Sequence, residues 1–265
     1  MVKKRIPWLL GLLALAALAF SLTDLLLLGR YAMPAADDFG YGAPVHFALE
    51  AGLGLPGVLG AVWESLRYTY EHWQGTFASV LLFSLQPGAF AEKLYPLTVP
   101  VMLGAVIAPP FLALAPVRMN SGGWKLLLGS VTALVSVQFL PSPAQGFYWW
   151  NGAAHYLAFW CLGVGLAACQ VVLGRGDRAG RRLALPLVPA CLGCFFQGGG
   201  NYSTALVFLL VSAALTLWAA LERRPRPALL ANGLMTLSAA AGLGVSIAAP
   251  GNAVRQAGLD HGLPP

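Results

Sequence analysis

The chain has very few charged residues, and this scarcity excludes most classes of soluble protein. Only 10% of its 265 residues are charged and 58% are hydrophobic, whereas soluble domains carry roughly 25% charged residues. The mean hydropathy of +0.69 points the same way. We therefore expect an all-α polytopic membrane protein, because helices satisfy their own backbone hydrogen bonds inside a bilayer.

Cysteine is also scarce, which excludes a disulfide framework and a structural zinc site. The chain has four cysteines, and all of them lie inside apolar runs: Cys161, Cys169, Cys191 and Cys194. The last two form a CxxC pair, but there is no second pair to complete a four-ligand zinc site. We expect these side chains to pack as small residues between helices.

The positive net charge of +6 does not indicate nucleic-acid binding. The basic residues form short clusters between apolar runs, and such clusters mark the cytoplasmic side of membrane proteins. A bilayer is therefore the expected partner, and no nucleic acid is expected.

Seven apolar stretches approach the roughly 20 residues that a membrane span requires. They cover 7–29, 94–117, 124–141, 153–174, 183–197, 201–221 and 227–249. The sequence shows no repeat, no long linker and no separate soluble domain, so residues 1–265 are predicted to form a single transmembrane domain of about seven helices.

An eighth apolar piece, residues 76–91, is short and is interrupted by Pro87 and Gly88. If it does not cross the bilayer, 12 of the 16 basic residues share one face with the N-terminus. If it crosses, the basic loops at 118–125, 175–182 and 223–226 move to the other face. The positive-inside rule favours the first arrangement, with the N-terminus inside and the C-terminus outside the cytoplasmic membrane.

In this topology residues 30–93 form the first outer loop, and they carry an amphipathic pattern. Apolar residues recur at steps of three and four, which predicts one helix over residues 59–86. We expect this helix to lie along the membrane surface, anchored by aromatic side chains, then to dip into the membrane over Thr76–Leu85 and to turn back at Pro87 and Gly88. The stripe consists of Leu59, Val62, Trp63, Leu66, Tyr70, Trp73, Phe77 and Val80.

The unusual polar residues then collect on the outer face, which predicts a site there. All four histidines, His46, His72, His155 and His261, are on this side. Asn151 and His155, four residues apart at the start of a span, are predicted to share a helix face. The candidate site residues are Asp37, Asp38, His72, Gln74, Asn151, His155, Asn201, Asn252 and Arg255.

Each motif also has an ordinary structural explanation. Asp37 and Asp38 are either a cation or proton-accepting site, or simply loop acids, or Asp37 caps the next helix. The glycines at 198–200 either line a wet cavity or form a tight turn. "APGN" at 249–252 resembles a turn that ends the last span. The acids and histidines lack the spacing of a recognised ligand set, so the sequence leaves divalent-cation binding open.

Five motifs together resemble a family of bacterial multi-pass membrane proteins with a domain of unknown function, similar in layout to GT-C glycosyltransferases. The motifs are "MPAADDFGYG", "TYEHWQGTFASVLLFSLQPGAFAEKLY", "YWWNGAAHY", "GGGNYSTAL" and "APGNAVRQ". The resemblance covers nearly the whole chain. Members usually continue past the last motif with more spans, which implies that this chain corresponds to the N-terminal part of a longer member.

The resemblance implies a membrane glycosyltransferase of envelope glycan assembly. Such enzymes move a sugar from a polyprenyl-phosphate donor to a glycan, lipid or protein acceptor at the outer leaflet. An acidic residue in the first outer loop acts as the general base or binds a metal, and this role would fall to Asp37 or Asp38. Arg255, Arg67 and Lys93 are the candidate phosphate partners.

Two other classes remain open from the residues alone. A transporter or flippase requires polar groups near the bilayer centre, and the sequence offers few, since Gln138 and Asn232 lie towards span ends. A non-catalytic scaffold requires no clustered acids or histidines.

Overall fold

The computed structural model describes residues 2–176 and 180–260, and within these residues it is helical with no strand. The all-α prediction is confirmed. The α-helices are α1 (Val2–Ser21), α2 (Thr23–Gly29), α3 (Asp37–Glu50), α4 (Gly54–His72), α5 (Phe77–Ser84), α6 (Pro87–Phe90), α7 (Thr98–Leu114), α8 (Gly122–Gln138), α9 (Trp150–Gly152), α10 (Phe159–Leu173), α11 (Arg181–Gly198), α12 (Tyr202–Leu221), α13 (Arg226–Ile247) and α14 (Pro250–Asp260). A 3₁₀ segment (Glu92–Leu97) precedes α7, and π-helical turns (Ala144–Tyr148 and Ala153–Ala158) flank α9.

Among the described residues, five helical stretches are long and apolar enough to cross a membrane: Arg5–Gly29, Glu92–Leu114, Trp150–Leu173, Tyr202–Leu221 and Arg226–Ile247. They correspond to five of the seven predicted spans. The other two predicted spans are helical but shorter: α8 has 17 residues, and the apolar part of α11 covers Arg182–Gly198.

The long helices of the described residues alternate between two ends of a bundle. At one end, which we call the basic end, Lys125 Nζ donates to Ala115 O at 2.8 Å, and the Arg175 guanidinium donates to Pro116 O. Trp8 on α1 lies against Gly122 at the start of α8, and Gly176 lies against Pro225. Arg178, which the sequence assigns to this face, lies outside the described residues.

The opposite end, which we call the polar end, brings together the motifs predicted to share a compartment. Asp38 bonds to Asn151 N, Ala78 N donates to Gly199 O, and Ser246 Oγ donates to Gly75 O. Helix ends separated by more than 100 residues therefore meet around α5. His261 lies outside the described residues.

The single helix predicted over residues 59–86 is wrong. The chain forms α4 and α5 with a break at residues 73–76, and it also forms α3, which the sequence analysis did not predict. The residues of the apolar stripe on α4 also differ in exposure: Val62 is buried, whereas Leu59 and Trp63 are exposed. Helix α5 has eight residues, about 12 Å, which is too short to cross a hydrocarbon core of about 30 Å.

The "APGN" segment is not a terminal turn. Pro250 begins α14, where its missing N–H is tolerated because the first turn of a helix leaves that donor unpaired. Helix α14 packs on α4 and so carries Arg255 back to the polar end.

Helices α11 and α13 approach closely because glycines face each other. A Cβ on Gly242 would lie 2.1 Å from Phe195 O, and a Cβ on Gly198 would lie 2.4 Å from Ala239 O. Small residues at such contacts let helix backbones pack tightly in apolar surroundings.

Candidate functional site

The two adjacent aspartates have different environments because they occupy successive positions of a helix. Side chains at positions i and i+1 point about 100° apart on a helix. Asp37 at the start of α3 is exposed, whereas Asp38 is 1% exposed. The sequence treated them as a pair, and the fold separates them.

The Asp38 carboxylate is surrounded by donors from three parts of the chain. Its Oδ1 accepts from Asn151 N at 3.1 Å, and its Oδ2 accepts from Ala35 N at 3.2 Å and from the Tyr95 hydroxyl. Burial raises the pKa of Asp38 above its ordinary value, more than these hydrogen bonds lower it. With both oxygens engaged, Asp38 organises the polar end and is poorly placed to accept a proton from a substrate.

Tyr95 is a central residue that the sequence analysis missed. It is fully buried, its hydroxyl donates to Asp38, and the same oxygen accepts from Trp150 N at 2.9 Å. It thereby ties the start of the 92–114 helix to the start of the 150–173 helix. A lone tyrosine after "EKL" carries no pattern that would reveal this role.

Asn151 lies in α9 and His155 in the π-helical turn that follows it, so the helix face that their spacing predicts them to share stays a prediction. His155 Nδ1 lies 2.8 Å from Ser79 Oγ. Asn151 is 3% exposed, and both atoms of its side-chain amide lack a hydrogen-bond partner among the described residues. Buried polar atoms are rarely left unpaired, so this amide is available to bind water or a ligand.

Gly75 is the point at which the last helices attach to the segment between α4 and α5. Its N–H donates to Asn252 Oδ1 at 3.0 Å, and its carbonyl accepts from Ser246 Oγ at 2.7 Å. Tyr202 OH donates to the same Asn252 oxygen at 2.7 Å. A Cβ at position 75 would lie 1.9 Å from Ser246 O, so only glycine fits here.

Asn252 and Asn201 are therefore structural in this arrangement. Asn252 Nδ2 donates to Ser246 O and Ile247 O, which leaves its amide fully engaged. Asn201 Oδ1 accepts from Ser203 N and Thr204 N and so caps the N-terminus of α12. His72 stacks on Tyr68 at 4.7 Å and bonds to the Tyr68 carbonyl, so it stays on the exposed surface of α4.

Arg255 contacts two residues of the "WQG" motif. Its Nη1 donates to Gln74 Oε1 at 2.7 Å, and its guanidinium lies over the Trp73 ring at 5.0 Å. These contacts use only part of the five-donor fork of an arginine. The remaining donors can bind an anion.

Asp37, Tyr41 and Trp73 line an open cleft of about 610 Å³ between α3 and α4. Burial raises the pKa of Tyr41, the charge of Asp37 raises it further, and the charge of Arg255 lowers it. The charges of Asp37 and Arg255 thus shift the pKa of the same phenol in opposite directions. We call this space the Asp37 cleft.

The described residues contain no group of three or more His, Cys, Asp or Glu side chains placed to hold a metal ion. Among the described residues that line the Asp37 cleft, the carboxylates are those of Asp37 and Glu64, and Glu64 Oε2 accepts a hydrogen bond from Arg67. A cation here would require ligands from substrate phosphate or water.

A buried polar cluster in the middle of the bundle also escaped the sequence analysis. Ser212 Oγ lies 2.7 Å from Thr236 Oγ1, Thr216 Oγ1 lies 2.9 Å from the same atom, and Gln170 Nε2 donates to Ser212 O at 3.0 Å. Serine and threonine are small and common in apolar helices, so their spacing alone gave no signal.

No protein family model, curated protein or solved structure matches this chain.

Proposed function

We propose that the chain is a GT-C-like membrane glycosyltransferase that takes a sugar from a polyprenyl-phosphate carrier. The observation that carries the proposal is the pairing of an exposed acid with an anchored guanidinium around one open cleft: Asp37 lines it, and Arg255 stacks on Trp73 at its edge. A glycosyl transfer needs both a proton acceptor and a partner for the departing phosphate.

The proposed topology has seven crossings, with the basic end inside and the polar end outside the bacterial cytoplasmic membrane. The clustering of basic loops at one end supports it through the positive-inside rule. Helices α5 and α6 then form a re-entrant element that enters the membrane from outside. The exposed stripe of Leu55, Leu59 and Trp63 on α4 suits an interfacial position.

The proposed reaction assigns one role to each charged group. An acceptor hydroxyl attacks the anomeric carbon of the donor sugar and loses its proton to Asp37. The bond between that carbon and the phosphate oxygen breaks, and polyprenyl phosphate leaves with its negative charge facing Arg255. The products are the glycosylated acceptor and the lipid phosphate.

Two conservative substitutions test the acid. Asp37→Asn is expected to lower transfer about a hundredfold or more, the range of a lost general base, while the protein folds and elutes normally. Asp38→Asn serves as the matched control, because it is expected to act through stability. Transfer is measured as labelled glycan output in cells expressing each full-length variant. Unchanged output from well-expressed Asp37→Asn contradicts the proposal.

Accessibility labelling tests the topology. After replacement of the four native cysteines, single cysteines at Glu71 and Glu92 (polar end) and at Asn120 and Glu222 (basic end) all occupy exposed positions. Only the first two are expected to react with an impermeant maleimide in intact cells. Asn151 is unsuitable as a probe because it is buried.

A transporter is the second candidate, and the mid-bundle cluster around Ser212 and Thr236 is the observation that favours it. Transport sites place polar groups at this depth. The cluster contains no ionisable side chain, however, and its hydroxyls bond to one another and to backbone carbonyls. Helix packing explains it equally well.

A further inference from the structure

A second cleft lies on the opposite face of α3 from the Asp37 cleft. Asp37, Gly40, Tyr41 and Pro44 follow one face of the helix and line the first cleft. The second cleft, with a volume of about 370 Å³, is lined by residues of the other face, including Phe39, Ala43 and His46. We call it the Gln86 cleft.

Gln86 supplies an unsatisfied acceptor in the lining of this cleft. The residue is 1% exposed, and its Nε2 donates to the carbonyl of Asp38. Its Oε1 is buried and has no hydrogen-bond partner among the described residues. A buried carbonyl oxygen without a donor is costly, so a ligand hydroxyl or amine that enters the cleft would be bound favourably.

The other lining groups also favour a ligand rich in hydroxyls. Glu92 lines the cleft, and His46 Nε2 lies 3.3 Å from Glu50 Oε1, so the rim offers acceptors. Phe39 and Phe47 are 64% and 63% exposed and both line the cleft. They are eight residues apart, about 12 Å along the helix axis. Exposed aromatic rings spaced along a groove with acceptors suit sugar rings, which have apolar faces and hydroxyl edges.

Gly42 sets the depth of the cleft. A Cβ at this position would lie 2.7 Å from Gln86 Nε2, so the absence of a side chain allows α3 to pack directly on Gln86.

We propose that the Gln86 cleft binds a saccharide, with Phe39 and Phe47 as stacking surfaces and the Gln86 side-chain oxygen as a hydroxyl acceptor. The two clefts share the first turn of α3, where Asp37 lines one and Asp38 with Phe39 lines the other. A saccharide bound at the Phe39 end of the Gln86 cleft therefore lies at the same turn of α3 as Asp37, on the other side of the helix. Its identification as the acceptor rests on the proposed function; its binding does not.

Saccharide binding is measured directly on the full chain in phosphatidylethanolamine–phosphatidylglycerol nanodiscs. Maltotetraose and chitotetraose are the probes, and saturation-transfer NMR with calorimetry gives the affinity. Phe39→Leu is expected to weaken binding about fivefold to tenfold through loss of ring stacking, and Gln86→Met is expected to weaken it at least as much. Phe20→Leu, a change at another exposed phenylalanine, is the matched control and is expected to bind like the wild type.

The outcomes separate this inference from the proposed function. Saccharide binding that is lost in Phe39→Leu and kept in Asp37→Asn supports the cleft, whether or not Asp37→Asn transfers sugar. No binding of either probe to the wild type overturns the inference. Equal affinity in the wild type, Phe39→Leu and Gln86→Met also overturns it, even if Asp37→Asn abolishes transfer. Because Phe39 is exposed, its substitution tests the cleft if Gln86→Met fails to fold.

Discussion

The two ends of the bundle are built by different kinds of interaction. At the basic end, the short loops at 115–125 and 221–226 keep their cations near helix termini: Lys125 binds the carbonyl of Ala115, ten residues away, and Arg175 binds that of Pro116, 59 residues away. At the polar end, bonds join residues 113 and 177 positions apart. The basic end can therefore be recognised from charge alone, whereas the polar end exists only once the chain has folded.

Substitution of Asp38 has the largest expected effect on the free energy of unfolding. It tests whether the long-range hydrogen bonds of the polar end stabilise the fold. Asp38→Ala leaves the donors of Ala35, Tyr95 and Asn151 without their acceptor, which we expect to cost about 3–5 kcal/mol. Unfolding by titration with SDS gives the free energy. Lys125→Met at the basic end is the control and is expected to change it by under about 1 kcal/mol. Equal losses at both ends would remove the contrast.

The pH dependence of stability provides an independent test of Asp38. Its pKa in the folded protein is raised above the ordinary value because the group is buried. The folded state therefore favours the protonated acid, and this contribution is fully present below the ordinary pKa and is lost as pH rises through the raised one. The thermal midpoint of the wild type relative to Asp38→Asn should fall as the pH rises from the ordinary pKa of an aspartate through the raised one. A constant difference contradicts the shift.

Substitution of Gly75 has the next largest expected effect, because an added methyl group would collide with the backbone of Ser246. Gly75→Ala is expected to cost about 2–3 kcal/mol through overpacking against Ser246 and Ala249. Gly60→Ala, in the exposed middle of α4 with nothing within 4 Å of the new Cβ, is the matched control. That change is expected to stabilise the helix by about 0.5–1 kcal/mol. SDS unfolding of both variants compares the two; a harmless Gly75→Ala would show that α14 does not depend on this turn.

Substitutions of Arg255 and Arg224 compare the two ends directly, because each guanidinium lies over a tryptophan ring. Arg224 is 5.4 Å from the Trp218 ring at the basic end. Arg255→Gln is expected to weaken binding of polyprenyl monophosphate about tenfold or more through loss of a charged hydrogen bond. Arg224→Gln should bind it like the wild type. Affinities come from calorimetry in nanodiscs, and equal losses would indicate general charge attraction.

The smallest expected effect is in the middle of the bundle, between the two ends. Ser212→Ala removes one hydroxyl from the cluster with Thr236 and is expected to cost about 0.6 kcal/mol, the average for such bonds in membrane helices. Glycan output should stay unchanged. A complete loss of output with normal folding would instead favour the transporter.

The sequence predicted the helical class, because hydropathy acts on each segment separately. Charge placement assigned the polar motifs to one side of the membrane, but it did not specify which of their residues meet. The sequence did not predict the break at residues 73–76, because the apolar spacing continues across it. The break follows from the Gly75 contacts with Ser246 and Asn252, partners more than 170 residues away.

The same limit applies to the candidate site. Arg255 and Gln74 were named from separate motifs, and their hydrogen bond joins them. Tyr95, Ser79 and Gln86 were not named, because single buried polar residues leave no periodic signal. Asn201 and Asn252 were named for their polarity, and the fold uses them to cap and to fasten helices.

The sequence by itself determined that this chain is helical and apolar, with its basic residues gathered in a few loops, since composition and local spacing fix these properties. Only the tertiary structure decided which of two adjacent aspartates is buried and which lines an open cleft. The physical reason is that one residue along a helix turns a side chain by about 100°. What lies on each side of α3 is set by packing against α4, α5 and α6.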